Sequence, residues 1–165
     1  MFGITAFGLF HTAISLVSLF SGLYLLARYR EISWHGTTGK VYVGFTIATC
    51  LTGLCIFRHG TFGPPHALAI ATLVVLGIAW YAERLARPGS VARIVAVGSY
   101  TATVFFHFIP AFTETATRIP EGAPLASGPE DPNLQAAIGA VAVVFAIFGV
   151  WQVLRIRRER RPALA

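Results

Sequence analysis

The sequence predicts an all-α integral membrane bundle of five transmembrane helices, with the N-terminus outside and the C-terminus in the cytoplasm. Three observations predict it. Charged residues make up only 12% of the chain, whereas a soluble domain carries about 25%. The mean hydropathy is +0.67, and the apolar residues fall into five uncharged stretches, 1–27, 41–57, 59–82, 94–113 and 133–154. The basic residues are also distributed very unevenly between the two ends of those stretches. A helix rises about 1.5 Å per residue and the hydrocarbon core is about 30 Å thick, so about 20 apolar residues suffice for one crossing.

The first helix is expected over about 3–27. It has no basic residue before its apolar run, and Arg28 and Arg30 follow the run, so it reads as a retained helix and not a secretory signal. The second, about 38–57, is the shortest, and Lys40 can snorkel from its end. The third is expected over about 65–86, because Gly60, Gly63, Pro64 and Pro65 make the preceding segment a loop and proline suits a first turn. Arg87-Pro88-Gly89-Ser90 ends it and offers Ser90 as the cap of the fourth, about 91–114. Asp131-Pro132 caps the fifth, about 133–155, ahead of a basic tail over 155–165. The proline-rich loop over about 115–132 is the one long connection and reads as a plain connector, with a lid as the alternative. There is no internal repeat and no second domain, so residues 1–165 form one unit.

Eleven of the 13 basic residues collect on one side, and only Arg58 and Arg118 fall on the other, which carries the N-terminus. The positive-inside rule makes the crowded side cytoplasmic and suits a bacterial inner membrane. The net charge of +6 is therefore a topology signal resting against anionic headgroups, and a nucleic-acid partner is excluded. Trp34, Trp80 and Trp151 fall near the same boundary, where indole rings prefer to sit.

Small and polar residues recur at spacings of three and four. Helix 1 has Gly8, His11, Ser15, Ser18 and Gly22; helix 2 has His35, Gly39, Tyr42, Thr46, Thr49 and Gly53. Helix 4 has Tyr100, Thr103, His107, Pro110 and Glu114, and helix 5 has Gly139, Ala142, Ala146 and Gly149. Such seams let membrane helices approach closely and hydrogen-bond, so they should face the interior.

Four of the five histidines, His11, His59, His66 and His107, fall toward the external face. An ionisable side chain at membrane depth is costly and is by default a functional-site hypothesis. His11 and His107 lie at matching depths of roughly 12 and 9 Å on different helices, His66 is nearer the mouth, and His59 is a solvated loop residue. Three readings compete. The first is one haem b with His11 and His107 as axial ligands. The second is zinc or copper held by His11, His66 and His107 with Glu114. The third needs no cofactor: each imidazole hydrogen-bonds a Ser, Thr or carbonyl on a neighbouring helix. Glu114 and Arg118, at i and i+4, read as a helix-end ion pair, or as a gate over the cluster. Cys50 and Cys55 diverge on one helix and read as small apolar residues. Glu83 and Arg84 beside Trp80 read as boundary anchors.

The run Trp34-His35-Gly36-Thr37-Thr38-Gly39-Lys40-Val41-Tyr42 resembles the start of helix 2 in a family of small bacterial multi-pass membrane proteins of unknown function. There it begins His-Arg-x-x-Gly-Arg-x-Tyr, and His35, Gly39, Lys40 and Tyr42 match. Leu51-Thr52-Gly53-Leu54, Ser99-Tyr100, and Glu114 with Arg118-Ile119-Pro120 resemble later elements of that family. Gly36 replaces the usual arginine, and no histidine stands just before helix 4, where many members carry one. The resemblance implies a multi-helix membrane protein with His35 and Tyr42 as functional residues on the cytoplasmic side. A looser architectural similarity is to four-helix b-type cytochromes, which ligate haem between helices by paired histidines. It implies at most one haem here, because only His35 lies near the cytoplasmic face.

The leading expectation is thus a small inner-membrane redox protein passing electrons to a periplasmic partner. The alternatives are a non-enzymatic accessory or assembly subunit of a membrane complex, and a small transporter working through the Ser15, Ser18, Thr46 and Thr49 stripes.

Overall fold

The computed structural model describes residues 5–57 and 61–159. They form five helices, α1 (Ala6–Tyr29), α2 (Thr37–Leu54), α3 (Pro64–Arg84), α4 (Val91–Ala116) and α5 (Pro132–Arg158). Four of these, α1, α3, α4 and α5, are long and apolar enough to cross a membrane. The expected fifth crossing falls on α2, which has 18 residues and ends at Leu54, three residues before the expected end. Five threonines and Lys40 lower its hydropathy, and Gly39, Tyr42, Val43, Thr46 and Cys50 on it are buried.

Local chemistry sets the ends. Thr5 caps α1 by accepting from Gly8 N–H at 3.0 Å, and Ser90 caps α4 by accepting from Arg93 N–H at 3.1 Å. Asp131 caps α5 by accepting from Asn133 N–H at 2.9 Å, with Pro132 opening the helix. Each such cap satisfies a donor that the helix itself leaves open. Arg30 ends α1 in the left-handed region at φ 67°, returning its N–H to Leu26 O.

The helices α1 to α4 close a ring. Each packs on the next, and α1 also meets α4. The core between them holds Leu19, Leu26, Tyr42, Val43, Leu76, Tyr100 and Val104. Gly22 lets α1 come close to α2 and α4: a Cβ there would stand 2.7 Å from the Tyr42 ring and 3.0 Å from Val104. The helix α5 lies outside the ring against α4 alone, and Val144, Ile147 and Val150 on it are more than 60% exposed. Its basic-side end is clamped. Gln152 accepts from Thr101 and donates to Arg30 O at 2.8 Å. Glu31 pairs with both Arg93 and Arg155, and Arg93 also reaches Glu159 at 2.8 Å.

The seams of α1, α2 and α4 face the interior: Ser18, Thr46 and Thr103 are fully buried. The α5 seam differs. Gly139 and Ala146 are exposed, and a Cβ at Gly139 or Gly149 would meet nothing within 4 Å.

Candidate functional site: two histidines above a buried polar seam

His11 projects from α1 toward α2, where its Nδ1 lies 2.8 Å from Thr52 Oγ1. The Thr52 hydroxyl donates back to Ala48 O at 2.8 Å, as a helical threonine commonly does. With its hydrogen on that carbonyl, the Thr52 oxygen can accept from His11 Nδ1–H, the tautomer that leaves a lone pair on Nε2. Gly53 makes room for the ring, since a Cβ there would lie 3.3 Å from His11 Cε1.

His107 reaches the same tautomer by another route. Its Nδ1 lies 2.8 Å from Thr103 O, and a carbonyl can only accept, so Nδ1 carries the proton. The ring is buried, and its Nε2 lone pair has no hydrogen-bond partner. Such an orphan is rare inside a protein and asks for a reason, a ligand among them. His11 stands within electrostatic range of both His107 and Glu114.

His66 is different. It sits in the first turn of α3, where its Nδ1 accepts from Gly63 N–H at 3.2 Å. Its proton is thus on Nε2, and the ring lies between Phe57 and Phe62, with centroids 4.6 and 5.1 Å away. In that tautomer it offers a buried donor, whereas His11 and His107 offer acceptors. Glu114 pairs with Arg118 one turn on, which is the helix-end pair expected from their spacing. Among the described residues, no group of three or more His, Cys, Asp or Glu side chains stands close enough to hold a metal ion. His59 and Arg58 lie outside the described residues.

Below the histidines runs a polar seam. Ser18 Oγ lies 2.6 Å from Thr46 Oγ1, which donates to Tyr42 O at 2.8 Å. Tyr42 Oη lies 2.7 Å from Thr103 Oγ1, which donates to Tyr100 O at 2.8 Å. The threonine hydrogens are used on main-chain carbonyls, so Ser18 and Tyr42 are the donors in the paired bonds. This arrangement ties α1 to α2 and α2 to α4, and each branch ends on a carbonyl.

The seam's basic-side end holds a residue whose position the sequence reading misplaced. Glu83 is no boundary anchor: its side chain turns inward and is only 12% exposed. It accepts from Ser33 Oγ at 2.6 Å, from Trp34 N–H at 3.1 Å and from Tyr100 Oη at 2.9 Å, and His35 Nε2 stands 4.0 Å away. The α1–α2 loop and Tyr100 of α4 therefore meet through an acid on α3. Gly39 holds the loop down on α2, because a Cβ there would lie 1.8 Å from Ser33 O. The signal was present: Thr72, Leu76, Ala79 and Glu83 continue the same four–three–four spacing along α3. Arg84, by contrast, does behave as an anchor, with its guanidinium 4.7 Å over the Trp80 ring.

The fold and site define a class: an all-helical bundle with four helices long and apolar enough to cross a membrane, and near one end a buried histidine, His107, with a half-buried one, His11. No known family model, curated protein or solved structure matches the chain.

Proposed function

We propose that the chain is a multi-pass protein of a bacterial inner membrane, N-terminus outside and C-terminus cytoplasmic, and that α1 and α4 hold one haem b through His11 and His107. The asymmetry of basic residues supports the orientation. The observation that carries the cofactor reading is the shared Nδ1 contact: both rings hold Nδ1 2.8 Å from an oxygen on the protein, and Nε2 of His107 is buried and unpartnered. That is how ligating histidines are oriented, with the second nitrogen fixed by a carbonyl or hydroxyl. Phe105, Phe106 and Phe108 beside His107, and the small residues Gly8 and Ser15 beside His11, suit a porphyrin face. A bound haem would supply one-electron transfer, in keeping with a small redox protein serving a periplasmic partner. Zinc or copper on the same two nitrogens is the alternative ligand, and it needs donors beyond His66, whose free nitrogen carries a proton.

The test is a visible spectrum of the detergent-purified protein, oxidised and dithionite-reduced, with elemental analysis of the same sample. A Soret band that shifts on reduction and is lost in His107→Ala is the expected result. A colourless sample with stoichiometric zinc or copper transfers the site to a metal. A sample with neither, expressed with haem and metals supplied, overturns both.

A second reading, an accessory subunit, is favoured by α5, whose Gly139 and Ala146 are exposed among the described residues. It predicts that Gly139→Leu leaves the purified chain stable but abolishes co-purification with a membrane partner. Transport has less support, because the seam's hydrogen bonds end on main-chain carbonyls, which cannot pass a proton on.

A further inference from the structure

The basic-side half of the α3–α4 pair carries a cleft of about 680 Å³ that belongs to neither the histidine site nor the seam. Val74, Gly77, Ile78, Tyr81 and Leu85 of the α3 side line it, with Val91 of α4 opposite. It opens outward: Val74, Tyr81, Leu85 and Val91 are each more than half exposed. Gly77 lies among its lining residues and is exposed, and a Cβ built there would meet nothing within 4 Å. From Val74 to Leu85 the helix rises about 16 Å at 1.5 Å per residue, close to the roughly 15 Å depth of one leaflet. At its outer end lies the turn between α3 and α4, with the exposed side chains of Arg84 and Arg87. Arg93, the next cation, is engaged by Glu31 and Glu159.

We infer that this cleft binds one acyl chain of an anionic phospholipid, whose phosphate rests between Arg84 and Arg87. The length matches a single leaflet, the walls are carbon, and the charge stands only at the end where a headgroup lies. A zwitterionic lipid would fill the same walls but leave the two guanidinium groups less well neutralised. The inference rests on the membrane reading above and is independent of the cofactor.

The experiment is native mass spectrometry of the full chain, released from nanodiscs containing equal phosphatidylglycerol and phosphatidylcholine. The wild type should retain one phosphatidylglycerol in preference to phosphatidylcholine. Arg87→Gln should lower that preference about fivefold, the factor one interfacial cation contributes. Gly77→Phe should fill the cleft and remove the retained lipid of either kind. Should that variant fail to fold, Arg84→Gln with Arg87→Gln, both on exposed side chains, carries the test. Equal retention of the two lipids by the wild type, or unchanged occupancy in Gly77→Phe, overturns the inference. A chain that stays soluble without detergent or nanodisc overturns the membrane reading itself, which separates the two failures.

Discussion

Tyr100 on α4 donates its hydroxyl to Glu83 on α3 at 2.9 Å, and through that bond the basic-side end of the bundle is organised. Glu83 also receives Ser33 and the Trp34 main chain, so one carboxylate joins the α1–α2 loop, α3 and α4. Glu83→Leu strands a tyrosine hydroxyl and a main-chain N–H in a largely dry place, at about 1–3 kcal/mol for each orphaned group. We expect a clear drop in thermal stability in detergent. Glu83→Gln keeps a carbonyl acceptor and should lose much less; equal stability of the wild type and the leucine variant would sink this account.

The Thr52 hydroxyl matters to His11 as an acceptor, and the pair sits far from any covalent neighbour. Thr52→Val keeps the shape but removes the group that holds the proton on Nδ1. If His11 ligates a haem or metal, its affinity should fall about 10- to 100-fold, the usual cost of losing such an orienting partner. Titration of apo protein with haem, read by the Soret band, gives the number. An unchanged affinity, with His11→Ala still deficient, would show that orientation comes from packing instead.

Two glycine substitutions should behave oppositely. Gly39→Ala forces a methyl group to 1.8 Å from the Ser33 carbonyl, a main-chain atom that cannot step aside. The loop must lift, taking the Ser33 and Trp34 bonds to Glu83 with it. Gly139→Ala meets nothing within 4 Å and replaces a poor helix former with a good one, so it should be neutral or slightly stabilising, by up to about 1 kcal/mol. Paired melting curves decide it, and a benign Gly39→Ala would contradict the close approach.

The clamp on α5 carries a pH dependence. Arg93 beside Glu159, with help from Gly89 N–H, holds the Glu159 carboxyl below the usual carboxylate range. The charged form is thus favoured in the folded state. Its stabilisation is fully present above the ordinary carboxylate pKa of about 4 and is lost as pH falls through the lowered value. Hydrogen exchange over the last turns of α5 should be slow at neutral pH and speed up in strong acid, earlier in Arg93→Ala. Exchange there that ignores both acid and the variant would remove the clamp.

Composition and charge placement were enough to predict helices, their approximate ends and the caps at Ser90 and Asp131, because those depend on neighbours along the chain. The inward seams of α1, α2 and α4 were legible for the same reason: small and polar residues at helical spacing can only be covered by another helix. The α5 seam was not, since spacing marks a face without saying whether this chain supplies a partner for it. Nor could spacing say that α2 would rely on its neighbours more than on its own hydropathy.

The sequence by itself determined which residues share a helix face and how far along its helix each lies, and so singled out His11 and His107. Only the tertiary structure decided what each polar atom meets. A histidine's tautomer depends on the oxygen its first nitrogen finds, which placed His66 apart from the other two although all three are the same residue at neighbouring depths. Glu83 shows the same limit: one residue separates it from Arg84, but about 100° of helix rotation turns one inward to a tyrosine and the other outward over a tryptophan.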